Sequence, residues 1–271
     1  MSVQLEVRDG NPWWLSTDIW TVSGDDPEAP PGAPIVGIPA YLWASVRNNG
    51  NTAVASATVR FYWANPSVGF DRNTANFIGS AFVSLDPGQA QDVLCLTPWV
   101  PAFVNGGHEC VLAEAFHSSD PLPASPAFNV PVDRHVAQRN LSVVMALKQF
   151  SARFEIHNSS RKPRTFRLRV QEGDLRELQA LAPFYGKLLQ NLKPGRVGNL
   201  RLTDALCPCE EQAPKNSTLD HAPLQLAPGA RLGLTLAGEI EGGAALIHIR
   251  QLDERREVGG LSVLVVHRQG G

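Results

Sequence analysis

The chain has 271 residues, of which 43% are hydrophobic and 18% are charged, and its formal net charge is −2. This near-neutral balance argues against nucleic acid or an anionic membrane surface as the partner. The 21 prolines and 23 glycines are typical of many short strands joined by turns, so the composition predicts an all-β protein, and the length suits two domains.

Neither a membrane span nor a signal peptide is predicted. No apolar run is long enough for a transmembrane helix, and the first residues lack a basic region followed by an apolar one. We therefore expect a protein that is cytoplasmic at synthesis and does not insert into a membrane. Export without a classical signal stays open.

The first predicted strand, Val3 to Arg8, alternates apolar and polar residues, and a tryptophan-rich stretch follows it. Trp13, Trp14 and Trp20 lie within eight positions of one another. Such density is typical either of a core wall or of an exposed binding patch, and the large apolar area of tryptophan favours the core.

The stretch from Val46 to Trp63 predicts a β-hairpin. Asn48 to Asn51 contains the residues that adopt positive φ most readily, and β-branched and aromatic residues follow it. A second hairpin is predicted around the loop from Pro98 to Gly107. It would place Cys95 and Cys110 opposite one another on neighbouring strands, as reduced and buried thiols.

The second half of the chain repeats features of the first in the same order. An asparagine turn recurs at Asn158, and the turn Ala227-Pro228-Gly229 matches Asp86-Pro87-Gly88. We therefore predict two tandem β-sandwiches, at residues 1–139 and 140–271. The second differs by an insertion at about 171–223, which contains the predicted helix.

This helix begins at Asp174, with Glu177 three residues later as in a capping box, and Pro183 is expected to break or kink it. Its apolar residues exceed what a solvated loop needs, so either the sandwich or a partner chain covers them. The candidate partner-binding residues are Leu175, Leu178, Leu181, Phe184, Tyr185, Leu188 and Leu189, together with Trp13, Trp14 and Trp20.

No sequence motif for a nucleotide, a zinc protease or an α/β-hydrolase is present, so no enzyme activity and no cofactor is predicted. A cryptic hydrolase would need a triad that only tertiary contacts can assemble. Cys207 and Cys209, with His221 nearby, are the weak candidates for zinc. Their C-x-C spacing differs from the usual zinc knuckle and a second ligand pair is missing, so we predict no metal.

Three stretches of the first half resemble a known family. They are Trp14 to Trp20 with its D-I-W, Ala44 to Gly50 with V-R-N-N-G, and Ala57 to Trp63 with its aromatic end. Together with Pro98 to Pro101 and the A-Q-R-N before Leu141, they resemble bacterial immunoglobulin-like domains of the CARDB type, over residues 13–141. The resemblance implies an immunoglobulin-like sandwich that serves as an accessory, adhesive or assembly module and has no catalytic residues.

The resulting prediction is a pair of tandem immunoglobulin-like β-sandwiches acting as a non-catalytic protein-interaction or structural module. Such a module would be a subunit or accessory of a larger bacterial or phage-like assembly, with a protein partner or self-assembly. The alternatives are a carbohydrate-binding module that uses the three tryptophans and a cryptic hydrolase. Tryptophan rings on one exposed face would favour sugar binding, and a cleft with convergent titratable groups would favour an enzyme.

Overall fold

The structure is a computed structural model that describes residues 2–64, 67–68, 71–102, 110–204, 218–254 and 256–268. Strands dominate this part of the chain, and its one α-helix, Ala182–Tyr185, is a single turn. The predicted all-β class is confirmed. Across these same ranges, no helix has the length and apolar character needed to cross a membrane.

The first half of the chain forms a sandwich of two sheets. The strands of this half are β1 (Leu5–Glu6), β2 (Ile19–Ser23), β3 (Ala40–Asn48), β4 (Val54–Ala64), β5 (Ser67–Val68), β6 (Asn76–Leu85), β7 (Ala90–Leu94), β8 (Cys110–Phe116) and β9 (Val136–Arg139), and all of them except β5 belong to this sandwich. In sheet I, β3 pairs with β1, β2 and β7, and sheet II has the order β6-β4-β8-β9. All of these pairs are antiparallel.

The core of this first sandwich follows from strict alternation along the strands. Along β3, buried and half-buried residues alternate over the whole strand, so Leu42 and Val46 point to one face. They pack against Val59 and Phe61 of sheet II in one fully buried cluster. The period-two pattern in the sequence therefore corresponds to the inward faces of the two sheets.

The stretch from Val46 to Trp63 is not a hairpin, so that prediction is wrong. β3 lies in sheet I and β4 lies in sheet II, and the turn between them carries the chain across the core. The fully buried Asn48 makes this possible, because its side chain accepts from Gly50 N (3.0 Å) and donates to Thr52 O (2.9 Å). A turn-forming asparagine thus redirects the chain to the opposite sheet instead of returning it to the same one.

The second half forms a larger sandwich. Its strands are β10 (Leu141–Ala146), β11 (Gln149–His157), β12 (Arg164–Gly173), β13 (Arg196–Asp204), β14 (Thr218–Asp220), β15 (Leu224–Leu226), β16 (Arg231–Glu241), β17 (Ala244–Asp253) and β18 (Arg256–His267). Sheet III has the order β13-β16-β11-β5, so β5 of the first half completes it. Sheet IV has the order β10-β18-β17-β12-β14, with β15 also on β12.

The second crossing turn repeats the first at the level of single hydrogen bonds. Asn158 is also fully buried, and its side chain donates to Lys162 O at 2.9 Å. In both sandwiches the backbone carbonyl of the asparagine accepts from the backbone N–H of the glycine in the Pro-Gly turn. The distances are 2.8 Å from Gly88 to Asn48 and 2.9 Å from Gly229 to Asn158. In each sandwich, the asparagine turn and the Pro-Gly turn are therefore in contact.

The insertion contributes more than a helix. Its helical segment, residues 175–188, consists of a 3₁₀ helix Leu175–Leu181, the helix α1 (Ala182–Tyr185) and a 3₁₀ turn Gly186–Leu188. The predicted capping box is present at Asp174, but Pro183 lies in the first turn of α1 and does not break it. The insertion also supplies β13 to sheet III and β14 to sheet IV.

Cys95 and Cys110 are both buried free thiols, but they are not cross-strand neighbours. Cys95 follows β7 of sheet I, whereas Cys110 begins β8 of sheet II, so the predicted hairpin between them is wrong. Each sulfur instead lies near a backbone carbonyl, Thr97 O for Cys95 and Val111 O for Cys110. Burial raises the pKa of both thiols, which keeps them protonated and unreactive.

Candidate functional site

The two sandwiches meet without a linker. Asn140 alone separates β9 of the first sandwich from β10 of the second, and it is 1% exposed. Its backbone N–H donates to Trp14 O (2.9 Å) and its carbonyl accepts from Ser262 N (3.0 Å). Its side-chain amide donates to Gly260 O at 2.9 Å. One residue is thus bonded to both sandwiches, which restricts their relative motion.

Trp14 anchors the first sandwich in the second. Its ring is fully buried, and its Nε1 donates to Ser262 Oγ of β18 at 2.8 Å. The ring lies directly on the backbone of Gly260, where an added Cβ would be 2.1 Å from Cε3. Only glycine leaves room for this contact, which explains a glycine inside an apolar strand.

A chain of hydrogen bonds continues from Trp14 into sheet IV. Ser262 Oγ is 2.8 Å from His248 Nδ1, and His248 Nε2 is 3.1 Å from Glu177 Oε2. Because the Glu177 carboxylate only accepts, Nε2 carries the proton of the neutral imidazole, and Nδ1 accepts from the serine hydroxyl. The connectivity is that of a hydrolase triad. However, Ser262 is 0% exposed and its oxygen also accepts from Trp14, so a substrate has no approach to it.

The hydrogen bonds from Trp14 to Glu177 predict that the stability of the protein depends on pH. Burial lowers the pKa of His248, and Arg250 lowers it further, against the opposite effect of Glu177 and Glu257. The unfolded chain, with a histidine pKa of about 6.5, therefore takes up a proton first as the pH falls. The free energy of unfolding of the wild type minus that of His248→Gln should therefore decrease as the pH falls below about 6.5. The decrease should be at most about 1.4 kcal/mol per pH unit.

Urea denaturation of both proteins between pH 5 and 8 measures this difference, because the other titrating groups are common to the two chains. Above about pH 6.5 the difference should be constant, since His248 is neutral in both states there. A difference that grows on acidification would contradict the hydrogen-bond assignment.

The helical segment covers the outer face of sheet IV beside Trp14. Leu178 is 2% exposed and Leu181 is 0% exposed, and both pack against Leu246 and Leu264 of that sheet. Leu175, Phe184, Tyr185 and Leu189 are half-buried against the same cluster, as is Trp13, while Leu188 is half-buried elsewhere. Of the two coverings that the sequence left open, the structure therefore has the intramolecular one.

The two predicted partner surfaces pack on each other. Trp20 is half-buried and stacks on Phe184, with ring centroids 5.5 Å apart, and on Trp43 at 5.9 Å. Trp13 packs edge-on against Trp14 at 5.3 Å. The tryptophans of the first sandwich and the helical segment of the second thus form a joint, and they do not form one flat exposed face.

Arg139 is a junction residue that the sequence did not single out. It is 5% exposed, its Nε donates to Ser16 O at 2.9 Å, and its guanidinium lies 4.6 Å from the Phe184 ring centroid and 5.7 Å from that of Tyr185. Cation–π contacts of this kind strengthen when they are desolvated. The sequence did give one sign of this role, because Arg139 lies at the predicted boundary between the two sandwiches, directly before Asn140.

A cleft of about 510 Å³ opens between the two sandwiches. The first sandwich supplies residues between positions 123 and 135, and the second supplies Ser159, Arg256 and Val258. Arg256 bridges the two sides, since its Nη2 donates to Asn129 Oδ1 at 3.4 Å. No sequence pattern pointed to this cleft, because its walls come from both sandwiches.

Charged residues lie at the cleft in a fixed arrangement. Asp133 Oδ1 accepts from His135 N at 3.1 Å and from His135 Nδ1 at 2.7 Å. His135 Nε2 is 3.2 Å from Asp120 Oδ1, without the angles of a hydrogen bond, and Arg134 pairs with the same oxygen. Although burial opposes both charges, these contacts lower the pKa of Asp133 and raise that of His135.

The weak zinc candidates are not brought together within the described residues. Cys207 and Cys209 lie outside the ranges that the structure describes. His221 is half-buried, and its Nδ1 is 2.9 Å from Ala222 O. Among the side chains placed in the structure, no group of three histidines, cysteines or carboxylates has the geometry of a metal site.

No protein-family model and no curated protein matches the chain. Among solved structures, it is similar to the CARDB domain of a Pyrococcus furiosus protein, solved in complex with di-metal ions, with 16% identity, a TM-score of 0.31 and 51% of this chain and 90% of that chain covered. It is also similar to the CupB6 tip adhesin of Pseudomonas aeruginosa, with 10% identity, 99% of each chain covered and a TM-score of 0.25.

A third similar structure is an anti-sigma factor domain-containing protein of Clostridium clariflavum, with 11% identity, 96% of this chain and 97% of that chain covered and a TM-score of 0.27. The CARDB domain is of the family that the motifs between residues 13 and 141 resemble.

Proposed function

We propose that the chain is a non-catalytic binding module in which two immunoglobulin-like sandwiches act as one rigid unit and present the cleft between them to a partner. The observation that carries the proposal is the fully buried Trp14 of the first sandwich, which lies on Gly260 of the second. A joint of this kind holds the two walls of the cleft in register. A subunit or accessory of a larger bacterial or phage-like assembly needs such a fixed geometry.

The burial of Ser262 and His248 supports a non-catalytic role over the hydrolase alternative. A nucleophile must contact its substrate, and the Ser262 oxygen is enclosed by Trp14 and His248. Hydrolysis of a p-nitrophenyl ester by the wild type, lost in Ser262→Ala, would favour the enzyme instead.

The inward position of the tryptophans also weighs against sugar binding at Trp13, Trp14 and Trp20. Binding to a protein partner or to further copies of the chain is the role that the proposal retains for the module as a whole. The predicted division into two domains between residues 139 and 140 stays a prediction. The junction bears on how each half would behave when expressed separately. Each half alone would expose either Trp14 or the surface that covers it.

A photo-crosslinking residue at Val132 tests the proposal, because Val132 lines the cleft and is 67% exposed. Phe82 is the matched control, since it is 69% exposed on β6 and does not line the cleft. In the native cell we expect one discrete adduct from position 132 and none from position 82. Adducts from position 82 alone, or from neither position, would argue against the cleft as the working face.

A further inference from the structure

The cleft contains a carboxylate oxygen whose hydrogen-bonding capacity is unused. Asp133 is 7% exposed, and its Oδ1 already accepts two hydrogen bonds from His135. Its Oδ2 is buried and has no hydrogen-bond partner among the described residues. A buried ionised oxygen without a partner is unfavourable, so a donor placed there by a ligand would be bound strongly.

Fixed charges of both signs line this one cleft. Asp133 supplies a negative charge beside His135, while Arg134, which pairs with Asp120, and Arg256 supply guanidinium groups. A cationic ligand would be attracted by the carboxylate but repelled by the two arginines, and an anionic ligand would meet the reverse. A neutral ligand avoids both repulsions. Its hydroxyl groups donate to the carboxylate and accept from the guanidiniums.

The rest of the lining suits the same chemistry. Phe128, Val132 and Val258 provide apolar surface for C–H groups, and Ser159 and Asn129 provide further donors and acceptors. The volume of about 510 Å³ lies within the range of roughly 300–1,000 Å³ that small-ligand sites occupy.

We infer that the cleft binds a neutral polyhydroxylated ligand of the saccharide class, with Asp133 Oδ2 accepting a hydroxyl proton and Arg256 donating to a hydroxyl oxygen. This inference rests on the proposed function and narrows it, because it takes the cleft as the working face of the module and makes a saccharide carried by the partner the group that the cleft recognises. It places the sugar at the cleft and not at the tryptophans of the junction.

The test is saturation-transfer NMR and calorimetric titration of the full chain with four neutral disaccharides, maltose, cellobiose, lactose and N,N′-diacetylchitobiose. L-arginine and L-glutamate serve as charged probes that are small enough to enter the cleft. Val132→Trp blocks the cleft from an exposed position, and Leu147→Trp is its control, since Leu147 is 65% exposed and outside the lining. Asp133→Asn removes the charge while keeping the size of the side chain.

We expect at least one disaccharide to bind, with no binding to Val132→Trp, unchanged binding to Leu147→Trp and affinity lower by about tenfold or more for Asp133→Asn. Binding that survives in Val132→Trp would place the sugar elsewhere. Binding of a charged probe alone, or of no probe, would overturn the ligand class. The crosslink from position 132 reports separately on the proposed function, so the two failures are distinguishable.

Discussion

Replacing residues 174–192 with a short Gly/Ser linker is expected to unfold the chain or make it aggregate. The helical segment covers Trp14, Leu246 and Leu264 on the outer face of sheet IV, and all three are almost fully buried. Removing the cover exposes this face and the leucines that packed on it. Burial of several such side chains is worth on the order of several kcal/mol, which is a large share of the stability of a domain.

Point variants within the same segment provide the control. Leu178→Ser and Leu181→Ser should each lower the free energy of unfolding by about 2–5 kcal/mol, whereas Gln179→Ser and Ala180→Ser should change it by less than about 1 kcal/mol. Leu178 and Leu181 are buried, whereas Gln179 and Ala180, which lie between them in the sequence, are exposed. Thermal and urea denaturation measure both. A shortened chain that melts like the wild type but loses its assembly would show that a partner, and not sheet IV, needs the segment.

Trp14→Ala and Gly260→Ala are each expected to destabilise the chain, and the double variant should be less affected than the sum of the two. Removal of the buried indole creates a cavity, with an expected loss of about 3–5 kcal/mol. The methyl group at position 260 would lie 2.1 Å from Trp14 Cε3, and overpacking of this kind typically costs about 1–3 kcal/mol. In the Trp14→Ala background the methyl group has room, so its effect should vanish or change sign.

Gly233→Ala is the control for this cycle, because Gly233 also lies in a strand but an added Cβ there meets nothing within 4 Å. Its effect should be small and the same in both backgrounds. The four urea midpoints and slopes give the coupling energy directly. Strictly additive effects of Trp14→Ala and Gly260→Ala would mean that the two residues are not in contact, and the description of the junction would be wrong.

Features that depend on local pattern were predictable from the sequence. Alternation of apolar and polar residues predicted the strand that contains β1, and the Asp174 capping box was recognised from the spacing of Asp174 and Glu177. The sequence wrongly predicted β4 to pair with β3, because that prediction also used only the local turn residues. An Asn-Gly turn is the usual hairpin signal, and only the burial of Asn48 shows that it crosses between sheets instead.

The candidate site was beyond such patterns, because its residues are far apart in the sequence. Trp14 and Ser262 are 248 positions apart, and His248 and Glu177 are 71 positions apart. The density of tryptophans indicated that they mattered and favoured a core role, but it did not identify what covers them. The glycine at position 260, inside an apolar strand, was a local sign of a close approach by another group.

The contact between Trp14 and β18 has a consequence for biosynthesis. A ribosome must add 248 residues after Trp14 before Ser262 exists to receive its hydrogen bond. At typical translation rates of about 5–20 residues per second, this leaves the indole without its final neighbours for roughly ten seconds or more. Sheets I and II can pair during that time, but the part of β18 on which Trp14 packs has not yet been synthesised. The growing chain therefore has a long interval in which chaperones can bind the Trp13–Trp14 region.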